Sequence, residues 1–249
     1  MKPDINTGFP ITQCVVEGIQ QGRVFDIGGG SYFILHKTGF GSLVNAESCD
    51  RYKLLDLFLD KSIPQYFHIY DASDDLIEYL KGHDDLFNLR IRPRCVLQYL
   101  EKSPLKFEVP KGYSIGKIDA DNFCDISNFF PLDLGSRFWN GSDNFVENSL
   151  SVVVFSEDGE PVGICYSAAT CTGRAEVDIW IAENHRNLGL AKLVTKVFVN
   201  VCLKHKIIPN WDSFEGNINS LKTALSLSFN EVRNYIFLSI FMKNEKKSN

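Results

Sequence analysis

The sequence predicts an α+β (mixed α/β) fold, a mixed sheet with helices packed on it. Three observations predict it. Short apolar or alternating runs recur along the 249 residues, bounded by Gly, Pro, Asn and Asp turn signals. Between them stand segments with a helical apolar period, the clearest from Leu190 to His205. A stretch rich in Pro and Gly, SPLKFEVPKGY, interrupts the chain near Lys102 to Gly112, so we expect an N-terminal α/β domain over 1–108 and a second domain over 109–249.

In the first domain, Arg23 to Ile27 and Ser31 to His36 are short strands around Gly28-Gly29-Gly30. The triple glycine most simply makes a hairpin turn, since no helix start and no Gly-x-Gly-x-x-Gly follows. Gly39 and Gly41 also read as a turn, having no Gly-Lys-Ser/Thr continuation. Glu47 to Leu59 is expected to be helical, with Leu54, Leu55, Phe58 and Leu59 on one face. Gln65 to Tyr70 is strand-like. Ser73 caps a helix whose first turn carries Asp74 and Asp75, and Lys81-Gly82 ends it. Leu89 to Leu97 is a strand interrupted by Pro93.

The second domain opens with a strand near Tyr113 to Ile118, a helix near Ala120 to Phe129 and a loop from Pro131 to Asp143. Ser151 to Phe155 and Val162 to Ser167 flank a hairpin marked by Asp158-Gly159. Glu176 to Ala182 is a third strand. In the helix from Leu190, the residues Leu193, Val194, Val197, Phe198, Val201 and Cys202 share one face, and Lys192, Lys196 and Lys204 fall off it. Ile207 to Trp211 is a strand, Ser220 to Leu227 a helix and Tyr235 to Phe241 a last strand. From Lys243 the chain is polar and is expected to fray.

Composition narrows the function. Apolar residues at 44% and charged residues at 23% suit an ordered globular chain. A net charge of −5 argues against broad nucleic-acid binding. Seven scattered cysteines with no Cys-x-x-Cys pair read as reduced thiols, not as a disulfide framework or a zinc site, so no metal is expected. The start, MKPDINTGFP, lacks a secretory pattern, and no run approaches the ~20 apolar residues that span a bilayer. We expect a soluble, cytoplasmic protein without a membrane partner.

The stretch AEVDIWIAENHRNLGLA, from Ala175 to Ala191, carries the chemistry. It reads as a strand, a short loop and a helix start, an order that aims consecutive backbone N–H groups at an anion. Strand alternation puts Glu176, Asp178 and Trp180 on one face and Val177, Ile179 and Ile181 on the other. His185 beside the loop reads as a solvated residue or a phosphate contact. His205 suits a helix C-terminus. Cys165 and Cys171 read as packed thiols.

Arg186, Gly189 and Ala191 match the Gln/Arg-x-x-Gly-x-Gly/Ala loop of the GNAT acyl-CoA-dependent N-acyltransferases. A second block, Asn217-Ile218-Asn219-Ser220, ending in Leu227-Ser228-Phe229, resembles the Asn-x-x-Ala/Ser helix and Gly-Phe turn of the same superfamily. The resemblance runs from about Val109 to Phe241 and implies a GNAT-like central mixed sheet flanked by helices. The runs RAEVDIWI and IIPNWDSFEGNINS, with Phe138-Trp139, also resemble a narrower group of zwittermicin-resistance-type acetyltransferases, which implies antibiotic or self-toxin resistance as one role.

The resemblance implies acetyl-CoA as cofactor. Backbone N–H groups of Asn187, Leu188, Gly189, Leu190 and Ala191 would hold its pyrophosphate, with Arg186 adding a donor fork. Ile179 and Ile181 would hold the pantetheine where two strands splay, and Asn217 and Ser220 would line the cofactor. Glu176 sits where many GNAT enzymes carry a general-base glutamate. Asp178 shares that role or holds the substrate's ammonium; otherwise either carboxylate makes a structural salt bridge or faces solvent. Asp133, Phe138, Trp139 and Asp143 lie on the loop that covers the acceptor site in the family, the two aromatics contacting substrate or anchoring the loop to the core. Asp212 contacts substrate or caps a turn. The family's general-acid tyrosine falls at Ala224 here, and the Gly of the Gly-Phe turn is Ser228.

The expected activity is acetyl transfer from acetyl-CoA to a primary amine of a small molecule, by direct attack in a ternary complex. The N-terminal part is expected to shape the acceptor pocket or a homodimer face. The alternatives are a non-catalytic acyl-CoA-binding module, motivated by Ala224, and an acetyltransferase of protein lysines.

Overall fold

A computed structural model describes residues 5–243. All of the polar tail beyond Lys243 lies outside the described residues. In chain order the elements are α1 (Pro10–Glu17), β1 (Gly22–Gly28), β2 (Ser31–His36), β3 (Phe40–Val44), α2 (Arg51–Leu59), β4 (Tyr66–Tyr70), α3 (Asp74–Lys81) and β5 (Phe87–Gln98). There follow β6 (Tyr113–Gly116), α4 (Phe123–Ser127), α5 (Ser142–Asn148), β7 (Ser151–Ser156), β8 (Pro161–Cys171), β9 (Arg174–Ile181), α6 (Leu190–Lys204), β10 (Ile208–Phe214), α7 (Ile218–Leu225) and β11 (Asn230–Met242). The fold is mixed α/β, as expected.

The chain divides into two compact units. One is Met1–Arg94 with Asn234–Asn249, the other Cys95–Arg233. The boundary expected at 108/109 falls inside the second unit, and the last strand returns to the first.

In the first unit the strand order is β1-β2-β3-β4-β11-β5. β3 and β4 are parallel, joined through α2, whereas β4 and β11 are antiparallel. Phe33, Phe58, Phe67, Leu76, Leu80, Leu238 and Ile240 form its core. Gly28, Gly29 and Gly30 all have positive φ and turn the β1–β2 hairpin, as the sequence predicts.

Four local expectations change. Gly41 lies inside β3 and not in a turn, because a Cβ there would sit 2.8 Å from the Phe33 ring and 2.9 Å from the His68 carbonyl. The helix expected from Glu47 starts at Arg51, where the Asp50 carboxylate caps the amides of Tyr52 and Lys53. β5 runs unbroken through Pro93, whose locked φ suits an extended chain. α1 was not expected, yet Pro10 at its first position and Gly18 in the left-handed region beyond its end are ordinary helix limits.

In the second unit the strand order is β5-β10-β9-β8-β7-β6. β9 and β10 are parallel and joined through α6; β8 pairs antiparallel with β9 and with β7. α6 presses Leu190, Leu193, Val194, Phe198 and Cys202 onto Val152, Val154, Cys165 and Ala175, the face its period predicts. The helix expected over Ala120 to Phe129 is shortened to α4. Asp119 and Asn122 exchange side-chain and backbone hydrogen bonds (2.9 and 3.3 Å), a local turn that competes with the helix. α5 takes the end of the expected loop and buries Phe145, a single apolar anchor with no visible period.

Candidate active site

β9 delivers the chain into a 3₁₀ turn at Glu183–His185 and then into the loop before α6. Asn187 (φ 63) and Gly189 (φ 79) both lie in the left-handed region, flanking Leu188. Left-handed residues alternating with others are the backbone pattern that anion nests use. Among the described residues, no backbone N–H from Asn187 to Ala191 finds a partner. Nothing lies within 4 Å of where a Cβ on Gly189 would project. The Nε of Arg186 donates to the Ile181 carbonyl at 3.2 Å, so this side chain ties the loop to the end of β9. His185 is held at 2.9 Å from the Tyr113 hydroxyl through Nδ1.

The loop and α7 meet. A cleft of about 490 Å³ is lined by Ile181, His185, Arg186, Asn187 and Gly189 to Lys192, and on its far side by Thr223 of α7. Asn217 caps α7 by accepting from the Ser220 N–H at 3.3 Å, and the Ser220 hydroxyl accepts from Trp211 Nε1 at 2.9 Å. These two residues shape α7 through contacts of their own. Ala224 is fully buried among Leu97, Tyr99, Val199, Trp211 and Phe229. Ser228 adopts φ 62, the conformation that a glycine would take without strain.

β9 and β10 pair only over Ile208↔Arg174, Pro209↔Ala175 and Asn210↔Glu176. Beyond that point β9 continues to Ile181 and β10 to Phe214 without a shared ladder. The strands part just after Glu176, leaving one edge of β9 open. The Ile179 N–H, expected to serve a ligand, donates to Asp178 Oδ1 at 3.0 Å. The side chains of Val177 and Ile179 pack toward α6, and Ile181 is buried with them.

Glu176 is 8% exposed, and its Oε2 accepts from Asn210 Nδ2 at 2.6 Å. Asp178 Oδ2 accepts from Arg137 Nη1 at 2.7 Å and from the Tyr166 hydroxyl at 2.8 Å. Burial, and then the neighbouring Asp178 carboxylate, push the Tyr166 phenol well above its usual range. Trp180 meets Phe130 edge to face at 5.3 Å. Phe130 and Arg137 come from the segment between α4 and α5, which therefore covers this face of β9.

Phe138 and Trp139 are buried; Trp139 Nε1 donates to the Ser167 carbonyl at 3.2 Å, and the Arg137 guanidinium lies over the Phe138 ring. These contacts tie the loop to the core. Asp133 accepts from the Ser136 N–H at 2.9 Å within the same loop. Asp212 is half-buried on β10, two residues along from Asn210 and on the same face. Cys165, Cys171 and Cys202 are buried, and desolvation raises the thiols of Cys165 and Cys202, which fits packed, inert groups.

Asn210, Gln98, Arg137 and Tyr166 went unrecognised in the sequence. Only Asn210 had a local signal, its alternation with Asp212 along a strand. The others reach the site through long-range contacts.

A family model described as GNAT acetyltransferase matches residues 90–238. The chain belongs to the GNAT acetyltransferase family. It is 31% identical over 172 residues to the uncharacterized N-acetyltransferase YdfB of Bacillus subtilis (strain 168), a match that covers 68% of this chain and 64% of that relative's length. Among solved structures it is similar to a GCN5-related N-acetyltransferase-like protein from Streptococcus suis 89/1591 (TM-score 0.67, 19% identity, 96% of this chain and 95% of that one). It is likewise similar to a GCN5-related N-acetyltransferase from Kribbella flavida (TM-score 0.65, 14% identity, 94% and 95%). These two likenesses establish the fold. For a GNAT protein the general chemistry is acetyl transfer. Among the described residues no helix is long and apolar enough to cross a membrane.

Proposed function

We propose that this GNAT protein transfers an acetyl group from acetyl-CoA to a primary amine of a small molecule, by direct attack in a ternary complex. The reading is carried by one observation: a buried carboxylate, Glu176, at the point where β9 and β10 part, on the strand that leads into the open N–H nest.

The residues present fit the cofactor. The unpaired amides of Asn187 to Ala191 suit the pyrophosphate, and the open space beside Gly189 allows close approach. Acetyl-CoA, when bound, supplies the acetyl group as a thioester. The open edge of β9 past Glu176 would hold the pantetheine. Glu176 receives the proton that an ammonium group must lose before it attacks. Asp178, held by Arg137 and Tyr166, fixes the covering loop over the acceptor and is the weaker candidate for proton transfer. The seven cysteines are free, in keeping with a reducing compartment such as the cytoplasm.

The test is CoA release from acetyl-CoA across a panel of small amines. Glu176→Gln keeps the hydrogen-bonding shape and removes the base, and should lower kcat/KM by about 10²–10⁴-fold with acetyl-CoA affinity unchanged. The buried Ala224 favours a second reading, a module that binds acyl-CoA without turnover. Tight acetyl-CoA binding with no CoA release on any amine, and no effect of Glu176→Gln, would establish that one.

A further inference from the structure

Glu176 is held by an amide chain that the acetyl-transfer reading does not itself require. Gln98 Nε2, on β5, donates to Asn210 Oδ1 at 3.0 Å, and Asn210 Nδ2 donates to Glu176 Oε2 at 2.6 Å. All three residues lie in the second unit. Asn210 is 2% exposed and forms the last register pair of β9 with β10, beside Glu176. We propose that Asn210 and Gln98 are positioning residues that keep Glu176 in its proton-accepting form; the inference rests on the reading of Glu176 as the proton acceptor.

Hydrogen-bond direction decides the protonation state of Glu176. An ionised carboxylate has only acceptors, whereas an amide has one acceptor oxygen and a donor NH₂. Asn210 satisfies Glu176 only with its NH₂ turned toward it. Turned the other way, two oxygens would face each other unless Glu176 carried a proton. Gln98 selects the first orientation by donating to the Asn210 oxygen. A donor aimed at the charged form of a buried carboxylate favours that form against the cost of burial. The chain thus starts at an uncharged residue on β5 and ends at the group that must be empty of a proton when substrate arrives.

Charged groups of both signs lie on the elements around Glu176. On β9 the same face carries Arg174 and Asp178, the latter paired with Arg137 and Tyr166. On β10 it carries Asp212. The β8 residue opposite Glu176 is Ala169, and β5 contributes Gln98. The Asp178 and Asp212 carboxylates disfavour the charge on Glu176, and the donor from Asn210 acts in the opposite direction.

The experiment uses the full chain. The Glu176 carboxyl is followed by carbon-13 NMR through a pH titration without ligand, its resonance assigned by its loss in Glu176→Gln. In Asn210→Ala its midpoint should rise by about one unit or more, and in Gln98→Ala by less in the same direction. With acetyl-CoA and the best acceptor from the amine panel, the acid limb of the kcat/KM profile should move up by the same amounts. Acetyl-CoA affinity should stay as in the wild type. Gln98→Ala, at a half-buried position, keeps the test open if Asn210→Ala does not fold. An active wild type with unmoved midpoints and acid limbs in the variants overturns the positioning role alone. A wild type that releases no CoA with any amine overturns the transfer reading and the positioning role with it.

Discussion

Replacing Gly189 with alanine separates the cost of a strained turn from the loss of a binding nest. Gly189 has φ 79, and no atom lies within 4 Å of a Cβ built on it. The substitution meets no clash, only the left-handed backbone penalty of roughly 1–2 kcal/mol. For a chain of this size that lowers Tm by about 2–8 °C. Gly159, in the β7–β8 hairpin, is a matched control, with φ 81 and equally open space. Gly159→Ala should lose the same stability. The two variants should differ in binding. If the loop relieves its strain by leaving the left-handed region, the amides of Asn187 to Ala191 no longer converge. Losing one N–H bond to a charged phosphate costs about 1.5–3 kcal/mol, or about 10- to 150-fold in affinity. Calorimetric titration with acetyl-CoA should show that weakening for Gly189→Ala and none for Gly159→Ala. Wild-type affinity in Gly189→Ala, or equal weakening in both variants, would refute the assignment of the nest to the cofactor.

Two further predictions concern stability. His68 packs among Phe40, Tyr66 and Phe237, with its Nδ1 3.0 Å from Ser239 Oγ. Burial first, then Arg92 and Arg94, hold its pKa down to about 4 from the ordinary 6.5. Its folded pKa is depressed, so folding keeps the ring neutral. The stability linked to it is complete above pH 6.5 and is lost as pH falls toward about 4. For a ring only partly buried this amounts to about 1–2 kcal/mol after solvent screening. Urea denaturation of wild type and His68→Gln across that window should show the smaller pH dependence in the variant; equal dependence would remove His68 as its source. Ser228→Gly, at φ 62, should raise Tm by about 1–4 °C by relieving left-handed strain. An unchanged or lower melting point would mean that Ser228 bears no strain there.

The fold was legible wherever a local signal governs. The apolar period of α6, the Ser73 cap of α3 and the Gly28–Gly30 turn each depend on residues a few positions apart. It was misread where distant residues decide. Gly41 is a strand residue because the Phe33 ring and the His68 carbonyl crowd it. Pro93 predicts a break in the strand, yet β5 is continuous through it. The loop from Arg186 to Ala191 was legible because it is built by the backbone, set by small residues and a helix start in a row.

By itself the sequence determined the mixed α/β class, the strand–loop–helix with its Arg186-to-Ala191 nest and the face shared by Glu176 and Asp178. These follow from strand alternation, helical period and turn chemistry, all short-range. The tertiary structure alone decided what each carboxylate does. Asp178 is committed to Arg137, 41 positions away in sequence, and Glu176 to Asn210, 34 away. Such pairings depend on which strands become neighbours and where they part. That is settled by the burial of the whole sheet, and no local pattern of residues encodes it.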